Sequence, residues 1–147
     1  YGGIVESYCC EDADAILITL GSVSGTTRCV VDAYRAAGKK VGLLKIRCMR
    51  PFPANAIASA VRAAKAIAVL EKDISCGYEG TVYTNVNSAL KERGFETPIA
   101  NYIGGLGGRS ISKENISGIF DALLTRDINV ESPIFINLRR DICGIEC

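Results

Sequence analysis

The sequence predicts an α/β fold, a three-layer α/β/α sandwich around a mostly parallel sheet. Three observations point to it. Four apolar runs, starting near residues 15, 41, 66 and 98, are continuous rather than alternating, as strands covered on both faces must be. Each run ends in a loop marked by glycine or proline, and a helical stripe of apolar residues at i, i+3, i+4 and i+7 follows. Strand and helix thus alternate along the chain, which calls for parallel strands joined by helical crossovers.

The elements follow in order. Ala15 to Leu20 is the first core strand, broken by Gly21-Ser-Val-Ser-Gly25. Thr27, Val30, Val31 and Tyr34 make the apolar stripe of the next helix, and Gly38 stands where such a helix stops. The second strand runs from Lys40 to Arg47 and ends at Arg50-Pro-Phe-Pro53, with Pro53 placed for the first turn of a helix carrying Ile57, Ala60, Val61 and Ala64. Ala66 to Leu70 is the third strand. The loop Glu71 to Gly80 leads to a helix with Val82, Val86, Ala89 and Leu90 on one side, stopped by Gly94. Pro98 to Ile103 is the fourth strand. After Gly104-Gly-Leu-Gly-Gly-Arg109, Ser112 caps a last helix bearing Ile116, Ile119, Phe120 and Leu123. Ile4 to Tyr8 reads as an extra edge strand. Ser132 to Leu138 reads as an extended arm, and Arg139 to Cys147 as a loose tail.

The 147 residues suit one domain with one real core, and 48% of them are apolar. Lys plus Arg number 17 and Asp plus Glu 16, so the net charge of +1 gives no bulk attraction to nucleic acid or an anionic membrane. No apolar run is long enough to span a bilayer, and no signal peptide is visible. The first residue is Tyr1, and the chain is read as a fragment of something longer. Histidine is absent, which removes Ser-His-Asp and Cys-His catalysis and His-ligated zinc. The 7 cysteines, at 9, 10, 29, 48, 76, 143 and 147, contain no Cys-x-x-Cys pair, so they read as reduced thiols of a cytoplasmic protein rather than metal ligands.

Candidate chemistry lies at the carboxyl ends of the strands. Gly104 to Ser110 sits where phosphate loops sit, but it matches neither the dinucleotide fingerprint nor Walker A. Gly21 to Gly25 is a second strand-to-helix turn able to offer amides to an anion. Both also fit tight turns, where backbone passes close to a neighbour. Lys45, Arg47 and Arg50 follow the second strand and Arg109 the fourth, with Glu71, Asp73 and Glu79 after the third. In an open parallel sheet these lie along one edge, where they pair internally or across a subunit contact, or grip an anionic ligand. Ser22 and Ser24 lack a histidine base. Cys76 lacks one too, and its thiolate would need a cation or helix terminus. Glu11, Asp12 and Asp14 read as a solvated turn.

Four linked motifs carry a family resemblance: Ala15 to Thr26, Val41 to Pro53 with its Arg-Pro-Phe-Pro turn, Asp73-Ile-Ser-Cys-Gly-Tyr-Glu-Gly80, and Gly104-Gly-Leu-Gly-Gly-Arg109. In this order they resemble the C-terminal part of the α subunit of pyruvate (2-oxoacid):ferredoxin oxidoreductases, with Ser110 where that family usually carries Asp. The resemblance implies a transketolase C-terminal-like domain with a five-stranded sheet, Ile4 to Tyr8 being its antiparallel edge, over residues 1–130, followed by an arm and tail over 131–147. It implies a non-catalytic, subunit-contacting role in an enzyme that decarboxylates a 2-oxoacid on thiamine diphosphate and Mg, forms an acyl-CoA and reduces ferredoxin through iron–sulfur clusters. No cofactor, metal ligand or catalytic residue is then expected in this chain. Arg47, Arg50, Glu71, Tyr78, Gly105, Gly107, Gly108 and Arg109 become interface or loop candidates. The expected partners are the remaining domains or subunits, with ferredoxin and CoA through the whole enzyme, and a second copy for the isolated domain. Two alternatives stand beside this one: an autonomous CoA- or nucleotide-binding domain using the glycine loops, and the C-terminal domain of a transketolase or a 2-oxoacid dehydrogenase E1β subunit.

Overall fold

A computed structural model describes residues 3–138. Six strands form one sheet: β1 (Val5–Tyr8), β2 (Ala15–Leu20), β3 (Val41–Ile46), β4 (Ala66–Glu71), β5 (Ile99–Gly104) and β6 (Ile134–Ile136). Their spatial order is β1-β3-β2-β4-β5-β6. The sheet is parallel except for β1, which pairs antiparallel with β3 so that Val5 opposes Ile46 and Tyr8 opposes Leu43. The expected five strands become six. Within the segment read as an arm, Ile134 pairs with Tyr102 and Ile136 with Gly104, so β6 extends the sheet beyond β5. The tail from Arg139, with Cys143 and Cys147, lies outside the described residues.

Four helices cover the sheet: α1 (Val23–Ala36), α2 (Ala54–Ala60), α3 (Thr81–Lys91) and α4 (Lys113–Thr125). Continuous apolar strands need cover on both sides, and they have it. Val30 and Val31 of α1 and Ile116 and Phe120 of α4 pack on Leu17, Ala68 and Tyr102. Ile57 of α2 and Val86 and Leu90 of α3 pack on Ile16, Ile18 and Ile67 on the other face. Pro53 precedes α2 as its cap instead of sitting in its first turn, and α2 ends at Ala60 while Val61 and Ala64 still reach the core. Ser112 caps α4 as expected, accepting from the Asn115 amide at 3.2 Å while the Asn115 side chain accepts from the Ser112 amide at 3.0 Å.

The crossovers differ in hand. α1 takes the chain from β2 to β3 on one face. α2 and α3 take it the opposite way across the sheet, on the opposite face, so these three crossovers share a hand. α4 moves the chain in the direction of α3 but lies on the face of α1, and the β5–α4–β6 crossover therefore has the other hand. Strand–helix–strand crossovers are right-handed in all but about 2% of cases, so β6 docks by the uncommon route.

Arg35 ties the corner between β1 and β2. Its guanidinium donates to the Val41 carbonyl at 2.7 Å, the Cys9 carbonyl at 2.6 Å and Asp12 Oδ1 at 2.7 Å. Cys9 and Cys10 then face opposite sides: Cys10 is buried in one core layer and Cys9 rests on the other. Gly118 is an exposed interior residue of α4, and a β-carbon there would meet nothing within 4 Å. Gly118→Ala is therefore expected to raise stability by about 0.5–1 kcal/mol, through backbone entropy alone. Urea unfolding checks this, and a loss of stability would count against the placement of α4.

Candidate functional site: the carboxyl edge of the sheet

The loops after β2, β3, β4 and β5 all emerge on one edge, because these strands are parallel. Successive loops along that edge turn to alternating faces, which opens crevices between strand ends where α/β folds bind ligands and partners. One such groove, of about 320 Å³, lies between the start of α1 and the loop before α4 and is lined by Ser22, Thr26, Lys72, Arg109 and Ser110.

Each wall has a local cause. Thr19, fully buried near the end of β2, shares a 2.9 Å hydrogen bond with Ser24, whose hydroxyl also bonds the Gly21 carbonyl at 2.8 Å. Ser24 is thereby committed to shaping the turn. Ser22 begins α1 without a side-chain cap, and no acidic residue occupies the first turn. On the other wall Gly105, Gly107 and Gly108 all have positive φ, at 77°, 64° and 79°. These conformations favour glycine, and they wind the single 3-10 turn Leu106–Gly108 that holds Arg109 out into solvent. Gly105 also lets the Lys72 stem pass, since a β-carbon there would lie 3.0 Å from Lys72 Cε.

Glu71 is the most constrained polar group of the edge. It is the last residue of β4, 4% exposed. Its carboxylate accepts the Val82 amide at 2.7 Å, the Tyr83 amide at 3.0 Å and Asn101 Nδ2 at 3.2 Å. Asn101 Oδ1 in turn accepts the Gly80 amide at 2.8 Å. Glu71 thus supplies the negative charge that the start of α3 favours, from a neighbouring strand. Burial pushes its carboxyl pKa up, against the lowering effect of the three donors. Gly80 makes this possible, because a β-carbon there would sit 1.9 Å from Glu71 Oε1.

The remaining candidates separate. Arg47 bonds Glu6 across the β1–β3 pair at 2.5 Å, and Arg28 adds a second contact to Glu6 at 3.6 Å. The Arg47 hydrogen bond, then its charge, holds the Glu6 carboxyl below its ordinary value. Arg50 is exposed, and its guanidinium donates to the Met49 carbonyl at 2.7 Å. Tyr78 is 66% exposed at the tip of the β4–α3 loop. Glu79 accepts from Thr84 Oγ1 at 2.9 Å. Among the described residues no ion pair joins Arg47, Arg50 or Arg109 to Glu71, Asp73 or Glu79. Of the sequence candidates the groove brings together Gly108 and Arg109, and it adds Lys72. Asn101 and Glu6 escaped the sequence reading. A lone amide inside the apolar Ile99–Gly104 run was the available signal for Asn101.

Among the described residues cysteine chemistry does not gather here. Burial pushes Cys10 up to about 11, and its thiol donates to the Leu43 carbonyl at 3.2 Å. Cys29 and Cys76 are exposed on separate elements. Among the described residues no three His, Cys, Asp or Glu side chains converge as a metal site, and no helix is long and apolar enough to cross a membrane.

Comparison with known proteins gives this geometry its context. Residues 13–116 match the family model of pyruvate:ferredoxin oxidoreductase core domain II. The pyruvate synthase subunit PorA of Methanosarcina barkeri is 38% identical over 146 residues, 97% of this chain and 36% of that protein. The ketoisovalerate oxidoreductase subunit VorA of Pyrococcus furiosus is 37% identical over 121 residues, 82% of this chain and 31% of that protein. The chain thus spans about a third of these relatives' length. A split-gene transketolase shares the fold, with a TM-score of 0.64 at 15% identity over 82% of this chain and 42% of its own. The four motifs, the mixed sheet and the match across residues 13–116 agree: the chain belongs to the pyruvate:ferredoxin oxidoreductase core domain II family.

Proposed function

We propose that this chain is a non-catalytic, subunit-contacting domain of a 2-oxoacid:ferredoxin oxidoreductase, the whole enzyme converting a 2-oxoacid to an acyl-CoA in the cytoplasm. The observation that carries the reading is the family match over residues 13–116. In the complete enzyme, thiamine diphosphate with Mg supplies decarboxylation, and iron–sulfur clusters pass electrons to ferredoxin. The described residues do not fit a cluster, which is held by converging thiolates. Cys10 is a protonated core thiol, and the other described thiols sit on separate elements. The domain's contribution is a rigid sheet whose carboxyl-edge loops meet the rest of the enzyme, through Arg50, Tyr78 and the Gly105, Gly107, Gly108 and Arg109 turn. The test uses the full-length protein with its companion subunits, supplied with pyruvate, CoA and a low-potential one-electron acceptor. CoA-dependent acceptor reduction is expected. Failure of every 2-oxoacid tried, 2-oxoisovalerate included, would sink the reading.

A further inference from the structure

We infer that the cavity between the start of α1 and the β1–β3 pair is a binding site for a small monocarboxylate with a short apolar tail, held by Lys45 and Arg28. It lies apart from the Arg109 groove and does not rest on the proposed activity.

Three observations carry it. First, Lys45 sits where a cation needs a partner. It lies on the face of β3 that Val41 and Leu43 turn toward α1. Among the described residues every lysine and arginine is exposed except Arg35 and Lys45, which are half-buried. Arg35 donates three hydrogen bonds, to the Val41 and Cys9 carbonyls and to Asp12. Lys45 makes no ion pair among the described residues. Drawing a charge partly out of water is costly unless a counter-charge meets it.

Second, Lys45 borders a cavity of about 100 Å³, with Glu6, Tyr8, Arg28 and Leu43 among its other walls. The Arg28 guanidinium carbon lies 4.1 Å from the centre of the Tyr8 ring, and this stacking holds the second cation at the wall. Pockets for larger organic ligands measure roughly 300–1,000 Å³, so this one admits only a small molecule. Leu43 and the Tyr8 ring offer apolar surface to a short tail.

Third, the charges at the wall leave room for one more anion. Lys45 and Arg28 face a single carboxylate, Glu6. Glu6 is already taken, by Arg47 at 2.5 Å and by Arg28 at 3.6 Å, which leaves the Lys45 ammonium for a ligand. Just outside, Arg47 and Asp32 cancel one another in charge, and Asp32 is bound by the Tyr8 hydroxyl at 2.5 Å. One negative charge balances the set, and a dianion such as phosphate overshoots it.

Reductive methylation of the full-length protein, followed lysine by lysine by mass spectrometry, tests this. Propionate is the probe, because it lacks a 2-oxo group, and chloride at the same ionic strength is the reference. At saturating propionate Lys45 should react about fivefold or more slowly than in chloride, since protection follows occupancy. Lys39, Lys40 and Lys65 should keep their chloride rates. Arg28→Gln should erase the Lys45 protection. Arg62→Gln makes the same charge change elsewhere and should leave it intact, with melting curves confirming that both variants fold. Equal Lys45 rates in propionate and chloride would overturn the inference. So would equal protection by inorganic phosphate, which would make it a general anion effect. So would a Lys45 already unreactive in chloride, which would place a macromolecular contact over the cavity. Failure of 2-oxoacid oxidation with Lys45 protected by propionate would instead defeat the proposed activity alone.

Discussion

Glu71→Ala is expected to destabilise the domain by about 2–4 kcal/mol, because each buried donor left unmatched costs roughly 1–3 kcal/mol. The change strips the acceptor from the Val82 and Tyr83 amides and from Asn101 Nδ2, and removes the anion from the start of α3. Glu71→Gln keeps the shape but turns an amide group toward a backbone donor, so it should lie between the two. The pH dependence distinguishes this site from the surface carboxylates. Glu71 has a raised pKa, so the folded state holds its proton more tightly than the unfolded chain does. Its contribution to stability is fully present at low pH and is lost as pH rises through the folded value. Glu6, Asp12, Asp14 and Glu114 are lowered, and their contributions are lost as pH falls. As pH drops through the carboxylate range, wild type should therefore gain on Glu71→Gln. Urea titrations at pH 7 and in mild acid measure the difference, and a gap that narrows in acid would contradict the buried carboxylate.

Gly42→Ala should cost about 2–3 kcal/mol, at the upper end of ordinary overpacking. A β-carbon at Gly42 would lie 2.6 Å from the Cys9 carbonyl oxygen and 3.1 Å from Cys10 Cα. Both are backbone atoms, so no rotamer change relieves the contact. The corner between β1 and β2 must move instead, and the 2.6 Å bond from Arg35 to that same carbonyl must move with it. The melting temperature is expected to fall by roughly 6–12 °C. It should rise for Gly118→Ala, where the new methyl meets open space. The opposite signs of two chemically identical substitutions make the pair a sharp test of the packing, and an unshifted Gly42→Ala would mean that the corner does not pass over β3.

Much of the fold was legible because its strands are buried on both faces. Ala66–Leu70 is an unbroken apolar run, Ala15–Leu20 is interrupted only by the buried Thr19, and the helical stripes around Val31, Val86 and Phe120 mark the buried sides. Ser112 announced α4 by local chemistry alone. β6 was not legible as part of the sheet. It spans three half-buried residues and is reached by a crossover of the uncommon hand, which no local pattern encodes. The site was less legible than the fold. Arg47 read as a partner for the acids after β4 or for a subunit contact, but its partner is Glu6, 41 positions away on an antiparallel strand. Glu71 looked like a loop acid ready to pair with arginine. Its real partners are backbone amides of α3, and the contact depends on Gly80 having no side chain. Periodicity reports which face is buried; it does not report which polar group a buried carboxylate will find.

The central claim is that this domain frames the enzyme and leaves its chemistry to other parts. Turnover of Arg109→Ala in the assembled full-length enzyme tests it most directly, measured at saturating 2-oxoacid and CoA and normalised to intact complex. Arg109 is the candidate whose charged side chain follows the glycine turn and lines the groove. The account predicts kcat within about twofold of wild type, with any loss confined to assembly, since a removed contact that is equally present in ground and transition states leaves kcat unchanged. A fall of about tenfold or more in kcat with assembly intact would place Arg109 on the substrate or a cofactor, and the domain would then take part in the chemistry.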